Sequence, residues 1–204
     1  AEKAYLEFNS EAAEALADLS LVLDPQNVKA LEYKGKLCFV RQDFKTAYDK
    51  LLATKNSFFD DLTDFCVKVG KVDKKGEMRV TDLLPMSRKY IKPQRYALIG
   101  HLLANSVMNQ KEDILLSDLK WYLSQFNKGN EFQITVKRRS NGLYKFDLSN
   151  NKSLYDINCL KDFPIEIIDI SGTAVSNINF GTKEKVFRHL RQIILNKNQL
   201  KEKS

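Results

Sequence analysis

Two histidines, three cysteines and three closely spaced aspartates are the residues of this chain whose types could do chemistry. A catalytic imidazole needs a nucleophile and an orienting carboxylate beside it. The sequence places neither next to His101, in the segment GHLLAN, nor next to His189, in the segment FRHLRQ. We therefore expect both histidines to be ordinary residues at a helix surface or boundary.

The acidic, glycine and cysteine patterns also predict no reactive site. Asp60, Asp61 and Asp64 resemble paired catalytic carboxylates, but acidic residues that open a helix complement its dipole without any catalysis. The glycines form neither G-x-G-x-x-G nor G-x-x-x-x-G-K, which are the motifs that cradle phosphate. The cysteines are widely spaced among apolar residues, and two histidines are too few for a usual zinc cluster. We therefore expect buried free thiols and no catalytic, cofactor or metal site. These cysteines are Cys38, Cys66 and Cys159.

The net charge of +7 raises the question of nucleic-acid binding, because lysine and arginine contacts to phosphate dominate such affinity. The basic clusters lie at 71–75, 88–89, 137–139 and 183–191. They are scattered and mixed with acidic residues, and no known nucleic-acid motif accompanies them. We therefore expect a solvated surface, and we keep a nucleic-acid-binding module as the alternative function.

The first half of the chain has the apolar periodicity of helices. These helices would position any functional side chain in that half. Ser10 and Asn27 are candidate N-caps, the dipeptide Asp24-Pro25 ends the first helix, and Gln42-Asp43 makes the next turn. Helical periodicity continues to residues 127–130, where a period of 3.6 gives way to a period of two. The short connections predict antiparallel neighbouring helices.

This helical region resembles the tetratricopeptide repeat, which has a period of about 34 residues. The resemblance covers about residues 4–54 and begins with the phrase LVLDPQN. Three departures are that Lys34 replaces an apolar residue, that Gln42 replaces the usual turn glycine, and that no closing proline follows Thr54. The matching positions are Ala13, Ala17, Ser20, Leu31, Gly35, Phe44, Ala47 and Leu51.

A second pattern occurs twice in residues 143–178, where apolar positions recur at a shift of 22 residues. Asn151 and Thr173 take the ninth position of each copy, where a polar side chain can bond the turning backbone. The pattern resembles the leucine-rich repeat L-x-x-L-x-L-x-x-N-x-L. Because one repeat cannot bury its own face, both ends of the pair need a cap. The superposed apolar positions are Leu143, Phe146 and Leu148 with Ile165, Ile168 and Ile170.

The flanking segments predict those two caps. Residues 131–139 alternate as a strand, and a loop of Ser140, Asn141 and left-handed Gly142 would pair Val136 with Phe146 on one face. At the other end, a helix capped by Thr182 is expected. Its apolar stripe is Val186, Phe187, Leu190, Ile193 and Ile194.

The predicted fold is α+β, with a tetratricopeptide-like helical region at 1–129 and a leucine-rich-repeat-like unit at 130–204. The second unit carries the antiparallel strand cap and the C-terminal helix. Both resemblances imply a non-catalytic module that binds a protein or peptide on a concave repeat surface, and no cofactor.

First-helix positions usually supply the ligand contacts in tetratricopeptide-like grooves, and this makes Asn27, Lys34 and Gln42 the candidate partner-binding residues. The hypothesis requires an open groove, so Tyr33, Lys34 and Lys36 must not be packed against other elements. The sequence does not identify the partner or the oligomeric state.

The combination of repeats is similar to non-catalytic regions of bacterial multidomain signalling proteins, such as membrane-anchored serine/threonine kinases. No kinase motif is present in the chain itself. The chain begins with Ala1, so we expect a piece of a larger protein. No apolar run reaches the length of a membrane span, so any anchor would lie outside these residues, with the fragment on the cytoplasmic or periplasmic side of a bacterial membrane protein.

Overall fold

The computed structural model describes residues 10–70, 78–129, 131–176, 178, 187 and 189–196. Within them it contains seven α-helices followed by a four-stranded mixed sheet, which confirms the predicted α+β class. The chain divides into two compact units, Ala1–Ser106 and Val107–Ser204. The change from helix to strand lies inside the second unit, so it does not coincide with this division.

The first unit is built from helices that pack on their neighbours in the chain. Helix α2 contacts both α1 and α3, and α3 also contacts α4. The connections between these helices are short, as in helical hairpins. The helices are α1 (Ser10–Leu23), α2 (Val28–Val40), α3 (Phe44–Ala53), α4 (Asp60–Val69), α5 (Val80–Tyr90) and α6 (Tyr96–Met108).

Local side-chain bonds fix where these helices begin. The Asn27 carboxamide oxygen accepts a bond of 3.0 Å from the Ala30 N–H, which confirms the predicted N-cap of α2.

A Cβ atom added to Gly35 would lie 2.7 Å from Leu51 Cγ. Glycine at this position therefore allows α2 and α3 to approach closely.

Three phenylalanines form the aromatic centre of the first unit. Phe39 lies 5.6 Å from Phe44 and 5.6 Å from Phe65, measured between ring centroids. All three side chains are buried. The Phe39–Phe44 pair is edge-on, and aromatic pairs of this geometry add to the stability that burial alone provides.

The second unit combines helix α7 (Glu112–Ser124) with four strands in the order β1-β2-β3-β4. Strand β1 is antiparallel to β2, whereas β2, β3 and β4 are mutually parallel. A continuous row across the sheet joins Val136, Phe146, Ile168 and Ile193. Phe146 and Ile168 are fully buried, so this row faces the core. The strands are β1 (Thr135–Arg138), β2 (Tyr144–Asp147), β3 (Ile165–Asp169) and β4 (Gln192–Ile194).

The β1–β2 hairpin has the predicted register and loop. Val136 pairs with Phe146, and Gly142 is left-handed with φ of +80°. The Arg139 N–H donates to the Leu143 carbonyl at 2.8 Å and closes the three-residue loop. Glycine suits this position because other residues rarely adopt such a φ.

The predicted shift of 22 residues appears as parallel pairing, because Phe146 lies beside Ile168. The turn after each of these two strands has the same bond. Asp147 accepts from the Ser149 N–H at 3.0 Å, and Asp169 accepts from the Ser171 N–H at 3.0 Å.

The left-handed residues of these turns are also equivalent. Asn150 has φ of +60° and Gly172, which lies 22 residues later, has φ of +69°. At the ninth positions, Asn151 donates to the Leu148 carbonyl at 2.8 Å, and Thr173 donates to the Ile170 carbonyl at 2.7 Å. The two turns therefore share their backbone shape and their polar bonds.

The predicted C-terminal helix is wrong where the structure describes it. Ile193 and Ile194 lie in β4, parallel to β3, while Thr182 and Val186 lie outside the described residues. Two consecutive β-branched residues favour a strand. A strand here also satisfies the backbone of β3, because the Ile170 N–H donates to the Ile194 carbonyl at 2.9 Å.

Candidate interaction surfaces

The predicted groove residues are used within the fold. The Lys34 ammonium contacts Glu14 at 2.8 Å and Asp18 at 2.9 Å, so it ties α2 to α1. Arg41 also forms an ion pair with Glu14. The hydrogen bonds from Lys34 and Arg41 lower the pKa of Glu14 below its usual value of 4.5.

Gln42 is left-handed, with φ of +62°, and its side chain is only 3% exposed. Its amide donates to the Met78 carbonyl at 3.0 Å and accepts from the Met78 N–H at 3.0 Å. Asn27 is half-buried and caps α2. The structure therefore gives Gln42 and Asn27 structural roles, and it does not bring them together with Lys34 as one free surface.

The condition set for an open groove is not met at the adjacent positions. Tyr33 is buried, and Lys36 pairs with Glu32 at 2.5 Å. The Lys36 ammonium also lies 5.5 Å from the ring centroid of Phe59. Tyr33 and Lys36 therefore do not line an open groove in this unit.

Helix α1 presents a candidate interaction surface on the side that does not pack on α2. Its buried residues are the small Ala13 and Ala17, whereas four of its five large aliphatic residues are exposed and Leu21 is half-buried. Residues spaced by three, four and seven positions share a helix face. We call this face the α1 outer stripe. It comprises the exposed residues Ala15, Leu16 (45%), Leu19 (58%), Val22 (78%) and Leu23 (80%).

The α1 outer stripe extends past the end of the helix, because Val28, at the start of α2, is 49% exposed. Single exposed apolar residues are normal on a protein surface, but a contiguous group of large ones marks an interaction site. The sequence pattern shows only that α1 has two apolar faces, because helical spacing places Leu16, Leu19 and Leu23 on a different face from Ala13 and Ala17.

The groups considered for catalysis lie on different elements. His101 is half-buried on α6, and His189 is half-buried before β4. Asp61, at the start of α4, accepts a bond of 3.0 Å from the Lys92 N–H and forms an ion pair with Arg95. These contacts link α4 to the segment before α6, so Asp61 has a structural role.

The three cysteines are free thiols. Cys38 and Cys66 are buried in the first unit, and Cys159 is half-buried in the second. Burial raises the pKa of all three thiols, and that of Cys66 reaches about 12. A thiol with a raised pKa is a weak nucleophile at neutral pH.

The aromatic group on α7 belongs mainly to the core of the second unit. Tyr122 is buried, and its hydroxyl donates to the Cys159 carbonyl at 3.2 Å. Its ring lies 5.2 Å from that of Phe126, while Trp121 is half-buried. These contacts give Tyr122 a packing role in the second unit.

Basic residues of the described clusters contact groups of their own unit. Lys89 lies 5.0 Å from the ring centroid of Tyr90 at the end of α5. In the second unit, Arg139 and Arg191 both pair with the buried carboxylate of Glu166 on β3, at 2.5 and 3.5 Å. These two arginines therefore compensate an acidic group of the same sheet. The cluster at 71–75 lies outside the described residues, and so do residues 183–186 and 188 of the cluster at 183–191.

Comparison of the chain with protein-family models, with curated proteins and with solved structures gives no match. Among the described residues, no helix is both long enough and apolar enough to cross a membrane. The same part of the chain contains no cluster of three or more histidine, cysteine, aspartate or glutamate side chains arranged to hold a metal ion.

Proposed function

We propose that this chain is a non-catalytic protein-interaction module whose binding surface is the α1 outer stripe. The observation that carries the proposal is the inverted packing of α1, which buries alanines and exposes leucines. A helix that is apolar on two opposite faces suits a position between two packed elements. Helix α2 covers one face, and a partner protein would cover the other.

The size of the exposed surface indicates the kind of partner. The exposed fractions of Leu16, Leu19, Val22, Leu23 and Val28 amount to about three complete aliphatic side chains. Covering them would contribute about 5–9 kcal/mol, at about 1.5–3 kcal/mol for each complete side chain. Association costs at least about 4 kcal/mol in lost translational and rotational freedom. The stripe therefore suits a partner with an apolar surface of its own, such as an amphipathic helix.

The repeat character of both units is part of the same proposal. The fit of Gly35 against Leu51 supports a tetratricopeptide-like α2–α3 pair, and the equivalent turns at Asn150 and Gly172 support a leucine-rich-repeat-like sheet. Repeat units of both kinds stack to display binding surfaces. A setting in a bacterial signalling protein rests on the sequence resemblance alone.

A site-specific crosslinking experiment tests the proposed function. A photoreactive amino acid is introduced at position 19, and, in a matched control, at position 52. Leu19 and Leu52 are 58% and 54% exposed, but Leu52 lies outside the stripe. Irradiation in an extract of the source cells should give discrete protein adducts from position 19 and not from position 52.

Adding Leu23→Asp should abolish the adducts from position 19, because a carboxylate placed against an apolar surface loses its hydration. The Leu23 side chain is 80% exposed, so the substitution leaves the packing of the unit intact. The absence of protein adducts from position 19, or adducts that a nuclease removes, would refute the proposal. The second result would favour the nucleic-acid-binding alternative.

A further inference from the structure

The dipeptide Asn141-Gly142 lies exposed at the tip of the β1–β2 hairpin and contains two groups that can react with each other. Glycine has no Cβ atom, so nothing on Gly142 shields its backbone nitrogen from the side-chain amide carbon of Asn141. The space beside Gly142 is also open, because a Cβ atom added there would meet no atom of a non-adjacent residue within 4 Å. The loop therefore leaves the Gly142 nitrogen accessible.

Asn56 provides a comparison within the same chain. It is exposed, and its side-chain oxygen accepts a bond of 3.0 Å from the Phe58 N–H, two residues later. The Asn141 oxygen accepts an equivalent bond of 3.1 Å from the Leu143 N–H. The two asparagines share this local bond, but a serine follows Asn56 whereas Gly142 follows Asn141.

We propose that Asn141 is a site of spontaneous deamidation in the folded chain. The Gly142 nitrogen gives its proton to solvent and bonds to the side-chain amide carbon of Asn141. The bond from that carbon to Nδ2 breaks, and ammonia leaves after taking a proton from water. A water molecule then opens the cyclic imide at either carbonyl, which leaves aspartate or isoaspartate. The net reaction converts an amide and water into a carboxylate and ammonium, with no oxidation or reduction.

The bonds that oppose this reaction are few. The Gly142 N–H donates to the Arg139 carbonyl at 3.1 Å, and this turn bond must open before the nitrogen can react. Exposed loop tips open at little cost in free energy compared with the core of a fold. The hairpin therefore slows the reaction at Asn141 without preventing it.

The structure also shows what the reaction would change. The Asn141 Nδ2 donates to Oε1 of the buried Glu166 at 3.1 Å and so ties the hairpin loop to β3. Deamidation replaces this donor with a carboxylate oxygen, which has no proton to donate and carries the same charge as Glu166. The two carboxylates must then separate, and the loop loses its bond to β3.

The surrounding charges allow the chain to tolerate the product. Arg139 and Arg191 both pair with Glu166, so two guanidinium groups accompany one carboxylate. The side chain of Arg191 is 76% exposed, which leaves its guanidinium room to follow a second carboxylate that moves away from Glu166. We therefore expect the deamidated chain to stay folded.

Incubation of the purified chain at neutral and at alkaline pH, followed by peptide mass spectrometry, tests the site. Asn141 should be converted to aspartate and isoaspartate, and faster at alkaline pH because the Gly142 nitrogen must lose its proton. Asn56 should remain an amide in the same samples. Gly142→Asn is the matched variant, because asparagine tolerates the left-handed backbone but adds a Cβ atom beside the nitrogen. In this variant the rate at Asn141 should fall to that of Asn56.

A double-mutant cycle tests the contact with Glu166. Asn141→Asp supplies the aspartate product directly, and Glu166→Gln removes the opposing negative charge while adding a nitrogen that can donate. The factor by which Glu166→Gln raises the unfolding equilibrium constant should be at least about twofold smaller in Asn141→Asp than in the wild type, as expected for residues in contact. Urea unfolding of the four chains measures it.

Each result decides one step. Equal rates at Asn141 and Asn56, or an unchanged rate at Asn141 in Gly142→Asn, would refute the deamidation site. Additive effects of Asn141→Asp and Glu166→Gln would refute the link between the deamidated side chain and β3. None of these measurements involves the α1 outer stripe, so the proposed function is tested separately.

Discussion

Replacing Gln42 measures how two hydrogen bonds hold a left-handed residue that is not glycine. Its φ is +62°, and its buried amide bonds both the N–H and the carbonyl of Met78. Ser106 donates to the same carbonyl at 2.8 Å, so that oxygen keeps a partner when Gln42 is shortened. The Met78 N–H loses its acceptor. Gln42→Ala and Gln42→Gly remove the same bonds but differ in backbone freedom.

The costs of the lost hydrogen bond, the lost packing and the backbone strain predict which of the two Gln42 variants is the more stable. An orphaned buried N–H costs about 1–3 kcal/mol, and the lost packing of one methylene costs about 0.8 kcal/mol. We therefore expect Gln42→Ala to lower the free energy of unfolding by about 2–4 kcal/mol. Glycine relieves about 1–2 kcal/mol of left-handed strain but adds about 0.4–1 kcal/mol of unfolded-chain entropy. Gln42→Gly should therefore be less costly than Gln42→Ala by about 0.5–1 kcal/mol.

Urea unfolding followed by far-ultraviolet circular dichroism measures both variants. Lys55→Gly is the matched control, because Lys55 is exposed and also left-handed, with φ of +54°. No hydrogen bond of its side chain is seen within the described residues, so this variant should gain about 0.5–1 kcal/mol. The reasoning fails if both Gln42 variants unfold at the wild-type urea concentration, or if Gln42→Gly is the less stable of the two.

Three further substitutions test other contacts. Gly35→Ala should destabilise by up to about 2 kcal/mol in urea unfolding, because overpacking against Leu51 outweighs the gain in helix propensity; a neutral result would mean that Leu51 moves aside. Asn151→Ala should cost about 2–4 kcal/mol by tryptophan fluorescence, since its buried amide bonds the backbone on both sides of the hairpin, and a loss under 1 kcal/mol would contradict this. The lowered pKa of Glu14 contributes stability above pH 4.5 that is lost as the pH falls through the folded-state value. The urea concentration at the midpoint of unfolding should therefore fall less steeply below pH 4.5 in Glu14→Gln than in the wild type. An equally steep fall would show that the ion pair with Lys34 does not contribute to stability.

Local signals in the sequence predicted the helices and the hairpin well. The cap at Asn27 depends on residues within one helical turn, and the hairpin register follows from placing Val136 and Phe146 on one face. Such features need only neighbouring residues. The role of Gln42 was not predictable, because its partner Met78 lies 36 residues away and only the fold brings them together.

The C-terminal strand shows where one pattern fits two structures. Leu190, Ile193 and Ile194 have helical spacing, but Leu190, Ile193 and Leu195 also match the first, fourth and sixth repeat positions. Asn198 and Leu200 complete the pattern L-x-x-L-x-L-x-x-N-x-L in the sequence. Extending the repeat would have predicted β4. The helix prediction fails here because the edge of β3 that is not bonded to β2 can pair with another parallel strand, and β4 is that strand.

The face of α1 that lies in solvent could not be read from periodicity. A helix with apolar residues on two sides could pack on α2 through either face. The face that packs is the one whose side chains fit α2. The small Ala13 and Ala17 allow the closer approach, so the leucines remain outside.

The three thiols, two of them buried and one half-buried, give each compact unit its own reporter of opening. Cys38 and Cys66 lie in the first unit and Cys159 in the second, and burial suppresses the thiolate form of all three. A thiol reagent applied in a short pulse will therefore modify a unit mainly when that unit opens. The time course of labelling, resolved by peptide mass, would separate the opening kinetics of the helical unit from those of the sheet unit in one unmodified molecule.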